Sequence, residues 1–281
     1  MYVKAFAKIN VYLDVLGKRE DGYHELDMVM LPIELHDSIE FSRCPDEYDT
    51  FITCDHVELT KSKYNLISKT YKLMKERYNL KGSFKITVHK EIPISAGLGG
   101  GSSNAAATIH ALNSIYKLKL SMEEMCELGK EIVCDVPFCL LNKPARVKGV
   151  GELITPIKLK HQYDVIIIKP DEGLSTQRVF ELSDSMTLDH GDGDKVEKAI
   201  TEGDDAELAK VMFNALEKPA IQTVNEVQKV KDMMKNDGFD MVLMSGSGSS
   251  VYALTTNHKL AHQLFKKYDK AGYDVYLTKT F

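Results

Sequence analysis

Between residues 93 and 104 the chain reads Pro-Ile-Ser-Ala-Gly-Leu-Gly-Gly-Gly-Ser-Ser-Asn. Upstream, Phe84, Ile86 and Val88 alternate with polar residues, the period of a strand. Downstream, the run SSNAAATIHALNSIY from Ser102 is rich in Ala and spaces Ile109 and Leu112 for a buried helical stripe. The segment therefore predicts a strand, a glycine loop and a helix in one unit. Successive N–H groups free of Cβ atoms, placed at the positive end of a helix, are what an anionic phosphate needs. A Walker loop would end in Gly-Lys-Ser/Thr, whereas this one ends in Gly101-Ser102-Ser103. The dinucleotide pattern fails too, because Ser102 stands where its third glycine belongs and no Asp or Glu lies between Glu91 and Glu123 to meet a ribose. A tight turn that only lets strand and helix pack is the alternative, but two glycines normally suffice for that.

Around this unit, strands and helices are mixed without regular alternation, which predicts an α+β class. Ala5, Ala7, Ile9, Val11, Leu13 and Val15 share one parity, and Leu26 to Ile33, Ser38 to Ser42 and Thr50 to Cys54 are further strand-prone runs. Ile67, Tyr71, Met74 and Tyr78 predict a helix over 65–78, and Ser121 with Glu124 forms a capping-box pair opening a helix to about Val133. Residues 146–154 read as a strand interrupted at Gly149-Val150-Gly151. The polar stretch Pro156 to His161 sets an expected boundary near 155, giving domains 1–155 and 156–281. Beyond it, strands are expected at 163–169, 241–244, 251–255 and 274–280. Helices are expected at 176–183, 193–201, 204–217, 220–236 and 257–271. His190-Gly191-Asp192-Gly193-Asp194 reads as a mobile loop tip.

Lys plus Arg number 36 against 41 Asp plus Glu, a net charge of -5, so no broad basic face is available for nucleic acid. Apolar runs such as Val165 to Ile168 fall far short of the roughly 20 residues of a membrane helix, and the N-terminus resembles neither a signal nor a transit peptide. Five cysteines without a C-x-x-C pair suit reduced thiols in a cytoplasm. His258 and His262 have a zinc-like i, i+4 spacing, but Lys259 replaces the glutamate of H-E-x-x-H. Asp192-Gly193-Asp194 lacks the last acid of an EF-hand, and Cys134 has no evident histidine partner.

Three motifs resemble those of the GHMP kinases: Ala7 to Leu13 (AKINVYL), the loop PISAGLGGGSSNAA from Pro93, and Met244 to Ser249 (MSGSGS). Asp21-Gly22-Tyr23-His24-Glu25-Leu26, Asp135-Val136-Pro137-Phe138 and Gly149-Val150-Gly151-Glu152 are similar to the pattern of those members whose acceptor carries a cytidine diphosphate group. The chain departs from that pattern at Val133-Cys134 and at Asn104.

The resemblance implies a two-domain fold with the substrates in an inter-domain cleft. It also implies transfer of the γ-phosphoryl group of ATP to a hydroxyl of a small molecule, a cytidine-diphosphate-linked methylerythritol. Lys8 and Asp135 match the catalytic pair. Pro93, Ile94, Ser95, Ala96, Gly97, Leu98, Gly99, Gly100, Gly101, Ser102 and Ser103 match the ATP loop, and Ser102 or Ser103 could supply a hydroxyl to Mg²⁺. Asn10, Tyr23, His24, Thr176 and Phe180 match the acceptor pocket, where Phe180 would sandwich a base against Tyr23. The second glycine loop, with Gly246, Ser247 and Gly248, would close over the first.

The residues alone leave plainer roles open. Lys8 could sit on a solvated strand face, Asp135 could be a cap, and Tyr23 and His24 could be loop packing. Thr176 could be an N-cap, Phe180 a helix core residue, and the second loop a hairpin turn.

Overall fold

A computed structural model describes residues 1–45, 49–56 and 65–281. Contacts divide the chain into two compact units, each assembled from separate stretches of sequence.

The first unit comprises Met1–Ala7, Leu35–Ile92 and Gly99–Asn142. Its strands, among the described residues, are the start of β1 (Tyr2–Lys18), the end of the long strand β2 (His24–Cys44), β3 (Phe51–Cys54) and β4 (Ser83–His89). β3 runs parallel to β4, and β4 pairs antiparallel with Ser38–Cys44 of β2. Among the described residues, four helices pack on this sheet: α1 (Leu66–Arg77), α2 (Gly100–Ile115), α3 (Met122–Ile132) and α4 (Val136–Leu141). The alternation of Phe84, Ile86 and Val88 puts all three into the core, where they meet Ile67, Tyr71 and Met74 of α1 and Ile109 and Leu112 of α2. Asn65 caps α1, and the Ser121–Glu124 capping box opens α3 as expected, with both reciprocal hydrogen bonds made.

The second unit comprises Lys8–Glu34, Pro93–Leu98 and Lys143–Phe281. Within it β5 (Ala145–Gly149) and β6 (Leu153–Pro156) form a hairpin whose turn is the glycine interruption at 149–151. β5 pairs with Leu26–Met30 of β2, and β1 (Tyr2–Lys18) is paired in parallel by the two-residue strand β8 (Phe213–Asn214). A separate antiparallel sheet has the order β11 (Asp274–Lys279), β7 (Asp164–Lys169), β10 (Val251–Thr255), β9 (Met241–Met244). Val165 to Ile168 is fully buried because β7 has neighbours on both edges and packed layers on both faces, which is why it reads as an unbroken apolar run. Helices α5 (Thr176–Ser183), α6 (Gly193–Glu202), α7 (Asp205–Val211), α8 (Glu217–Thr223), α9 (Glu226–Asn236) and α10 (His258–Lys270) complete the unit.

The α+β class holds, with four differences in detail. The two runs expected in residues 26–42 form one strand. Pro32 is tolerated there because it lies between the ladder to β5 and the ladder to β4. The helix expected over 204–217 ends at Val211, and Phe213 and Asn214 instead extend to pair with Tyr12 and Leu13. The helix expected over 220–236 is two helices: α8 carries Pro219 in its first turn, and the chain breaks at Val224 before α9 begins. Residues 190–194 are anchored: His190 Nδ1 lies 2.9 Å from Asp14 Oδ1, the Gly191 N–H donates to Asp14 Oδ2 at 3.2 Å, and Asp192 caps α6.

Candidate active site

In β1, Lys8 and Asn10 share parity and point to the same face, where they are 5% and 1% exposed. Burial excludes the solvated strand face for Lys8. Its Nζ donates to Asn10 Oδ1 at 2.7 Å and to the Gly97 carbonyl at 3.0 Å, so the ammonium is held between its own strand and the first glycine loop. The backbone N–H of Lys8 donates to Leu98 O at 3.0 Å, fastening the same loop a second time. Asn10 is held in turn, since the Tyr252 hydroxyl donates to its carbonyl at 2.8 Å.

The first loop turns through left-handed backbone at Ser95 (φ 53°), Gly97 (φ 73°) and Gly99 (φ 71°). Gly97 is required by space as well: a Cβ there would lie 2.0 Å from the Ser245 carbonyl oxygen. Gly99 takes the N-cap position of α2 without a side chain to cap it, and the first turn contains no acid. The first-turn N–H groups of this 16-residue helix thus have no N-cap side chain to accept from them, the arrangement that suits an anion. Ser103 is 2% exposed and its Oγ donates to Phe6 O at 2.5 Å, so of the two serines Ser102 is the one whose hydroxyl is not committed in this way.

The second loop, Ser245 to Ser250, closes the β9–β10 hairpin and is also a brace. Ser245 Oγ donates to Gly97 O at 3.0 Å, and the Ser250 N–H donates to Ala96 O at 3.3 Å. Ser247 Oγ lies 2.9 Å from Thr176 Oγ1, and Ser249 Oγ donates to Glu172 O at 2.6 Å. From behind, the amide of Asn214 donates to Met244 O at 2.9 Å and Gly246 O at 2.8 Å. Gly246 sits where a Cβ would meet Gly97 O at 2.8 Å and Lys8 Nζ at 3.1 Å. The two loops and Lys8 therefore converge on one carbonyl, that of Gly97.

Asp135 stands at the N-cap position of α4, half-buried, but its side chain makes no cap hydrogen bond. The position follows from local sequence: Val133 ends α3 in an extended conformation and Pro137 is tolerated in the first turn of α4.

The segment Asp21 to His24 is a turn tied by Arg19 N–H to Tyr23 O (2.7 Å) and Tyr23 N–H to Asp21 Oδ1 (3.1 Å). Tyr23 is 58% exposed. The ring that faces Phe180 is that of His24, stacked at 4.7 Å between centroids and 28° between planes, where the sequence led us to expect Tyr23 across from Phe180. Thr176 is the first residue of α5, and the cap is its neighbour Ser175.

Three residues of this region escaped the sequence reading: Asn214 behind the second loop, and Asp184 and Lys18 beside His24. Asp184 could have been found, since it lies four residues after Phe180 on the same helical face; Asn214 sits in a strand too short to leave a periodic signal. Among the described residues no group of three or more His, Cys, Asp or Glu side chains could hold a metal ion, and no helix is long and apolar enough to cross a membrane. His258 Nδ1 lies 3.0 Å from Asp164 Oδ2, and its ring lies edge-on to His262, a packed face.

Comparison with known proteins gives this geometry a context. The family models "GHMP kinases N terminal domain" and "GHMP kinases C terminal" match residues 65–143 and 196–274. A 4-diphosphocytidyl-2-C-methyl-D-erythritol kinase of Geobacillus kaustophilus is 41% identical over 252 residues, 90% of this chain and 87% of the relative. The crystal structure of a 4-(cytidine 5'-diphospho)-2C-methyl-D-erythritol kinase superimposes with a TM-score of 0.82 at 28% identity, covering 100% of this chain and 99% of that one. A homoserine kinase from Cytophaga hutchinsonii shares the fold, with a TM-score of 0.73 at 17% identity over 100% of this chain and 94% of that one. Both halves of the family pattern are present in order, and similarity at this level runs along nearly the whole chain. The chain belongs to the GHMP kinases, on the branch of the 4-diphosphocytidyl-2-C-methyl-D-erythritol kinases.

Proposed function

We propose that the protein transfers the γ-phosphoryl group of ATP to the 2-hydroxyl of 4-diphosphocytidyl-2-C-methyl-D-erythritol, in non-mevalonate isoprenoid synthesis within the cytoplasm. The observation that carries the reading is the meeting of Lys8 and Ser245 on the Gly97 carbonyl. It sets a buried ammonium against a glycine loop that leads directly into an uncapped helix N-terminus.

Phosphoryl transfer through a loose transition state needs positioning and neutralisation of charge more than covalent chemistry. The N–H groups of Gly99 to Ser102 would take the phosphates, and Lys8 the charge building on the phosphoryl oxygens and the attacking oxygen. Asp135 would accept the alcohol proton late in the transfer. Tyr23, His24, Phe180, Thr176 and Asn10 would hold the cytidylated acceptor. Ser102 offers a hydroxyl at the start of α2, a hard ligand suited to Mg²⁺, an ion that takes few protein groups. Such an ion would neutralise phosphate charge. The domain boundary near residue 155 stays a proposal, and the two family models fall on either side of it.

The test is ADP release from Mg-ATP by purified protein offered the cytidylated alcohol, homoserine, mevalonate, galactose or no acceptor. Turnover with the cytidylated alcohol alone, reduced by about 10²–10⁴-fold in Asp135→Asn with ATP binding retained, is the expected result. Turnover with another acceptor would sink the substrate, and ATP binding without any turnover would make the protein a nucleotide-binding regulator.

A further inference from the structure

His24 is buried on one side by Phe180 and tied on its edge by an acid that the proposed chemistry does not use. Its Nε2 lies 2.6 Å from Asp184 Oδ1, and the other oxygen of Asp184 accepts from Lys18 Nζ at 2.5 Å. The His24 side chain is 11% exposed and that of Asp184 26%, so the contact is partly shielded from water. Asp184 sits at the C-terminal end of α5, one turn after Phe180, so one helix supplies both the ring against the face of His24 and the carboxylate on its edge.

An ionised carboxylate only accepts hydrogen bonds, so Nε2 of His24 must carry a proton. The hydrogen bond from His24, and then that from Lys18, hold the Asp184 carboxyl below the usual carboxylate range, which keeps it in that accepting state. In the neutral ring the lone pair is then on Nδ1, and the ring cannot flip about its bond to Cβ without losing the contact. A ligand edge that meets Nδ1 must present a donor. Cytosine presents an exocyclic amine at position 4, where uracil presents a carbonyl oxygen, and the order is reversed at the neighbouring N3, so the acceptor at Nδ1 favours cytosine when it meets position 4 of the base.

We infer that Asp184 is a positioning residue that fixes the tautomer and plane of His24 and so selects a cytosine over a uracil on the acceptor. This rests on the reading of His24 and Phe180 as walls of the base pocket. Lys18 completes the device by holding the second oxygen of Asp184, and at 55% exposed it belongs to the rim.

The experiment compares kcat and KM for the cytidine-linked acceptor and for the same polyol linked to uridine diphosphate, in the wild type, Asp184→Ala, Asp184→Asn, Asp184→Glu and Phe180→Ala. Long-range ¹H–¹⁵N spectra report which nitrogen of His24 is protonated. In the wild type the cytidine-linked acceptor is preferred and Nε2 carries the proton. Asp184→Ala and Asp184→Asn are expected to raise the acceptor KM about tenfold, leave the KM for ATP unchanged, narrow the preference for cytidine and mix the two tautomers. Asp184→Glu restores part of the preference. A merely structural acid would lower the melting temperature and shift both KM values together, leaving the base preference intact. Unchanged preference in Asp184→Ala and Asp184→Asn, with a raised acceptor KM in Phe180→Ala, overturns the role of Asp184 alone. A wild type that does not distinguish the two bases, with Phe180→Ala unchanged, overturns the base pocket itself.

Discussion

The two glycine loops are both interrupted by serine and are built into the fold in opposite ways. In the first, Pro93 to Gly101, the backbone is bent by Ser95, Gly97 and Gly99 so that the chain enters a helix whose first-turn N–H groups have no side-chain cap. In the second, Ser245, Ser247 and Ser249 each spend a hydroxyl on another segment: Gly97, Thr176 and Glu172. A loop before a helix ends in orphan donors because a helix leaves its first N–H groups unpaired, whereas a loop inside an antiparallel hairpin starts with its neighbours already paired. Glycine and serine therefore make an open helix start in one setting and a brace in the other. What separates them is the element that follows.

That comparison can be broken at Gly97, where the loops touch. Gly97→Ala would force a Cβ onto the Ser245 carbonyl from a left-handed backbone, and it should destabilise the protein by about 3 kcal/mol or more and remove most turnover. A melting curve and an activity assay that both matched the wild type would mean the loops are not interlocked. Next in size is Asn214→Ala, which leaves the Met244 and Gly246 carbonyls without their buried donor. A loss of roughly 2 kcal/mol in urea unfolding is expected, with a lower kcat/KM for ATP; a change in neither would show that the second loop holds its own shape.

Ser247→Ala removes only the contact with Thr176 and should cost about 1 kcal/mol, with more effect on the acceptor KM than on that of ATP. The smallest change in stability belongs to the first loop beyond the contact. At Gly101 a Cβ would meet only Leu66 Cδ1 at 3.3 Å, on ordinary helical backbone. Gly101→Ala should shift stability by no more than about 0.5 kcal/mol, because the gain in helix propensity offsets the tighter contact, yet it should raise the KM for ATP if phosphate approaches that turn. A stable variant with unaltered ATP kinetics would remove Gly101 from the phosphate site.

Signals carried by neighbours in sequence were readable in advance. The strand, loop and helix around residue 97, the capping box at Ser121 and Glu124, and the shared parity of Lys8 and Asn10 all depend on periods of two or 3.6 and on local hydrogen bonds. The helix expected over 204–217 failed for a reason no window of that length contains. Residues 213 and 214 give up helical hydrogen bonds to pair with β1, about 200 positions earlier, and to let Asn214 reach the second loop. The apparent loop tip at 190–194 is held down by Asp14, buried in β1, which the Gly and Asp content of those five residues could not reveal.

Taken by itself, the sequence determined the α+β class and the glycine-loop pattern, because propensity, periodicity and motif spacing are properties of short stretches, while the candidate lysine and acid came from the resemblance of the motifs around them to the GHMP kinases. Only the tertiary structure decided that Lys8 is buried against the Gly97 carbonyl, that the second glycine loop is a brace, and that His24 is gripped by Phe180 and Asp184. Each of those facts joins residues 89 to 160 positions apart, and such pairings are chosen by packing and by the need to satisfy buried polar groups, which no local pattern encodes.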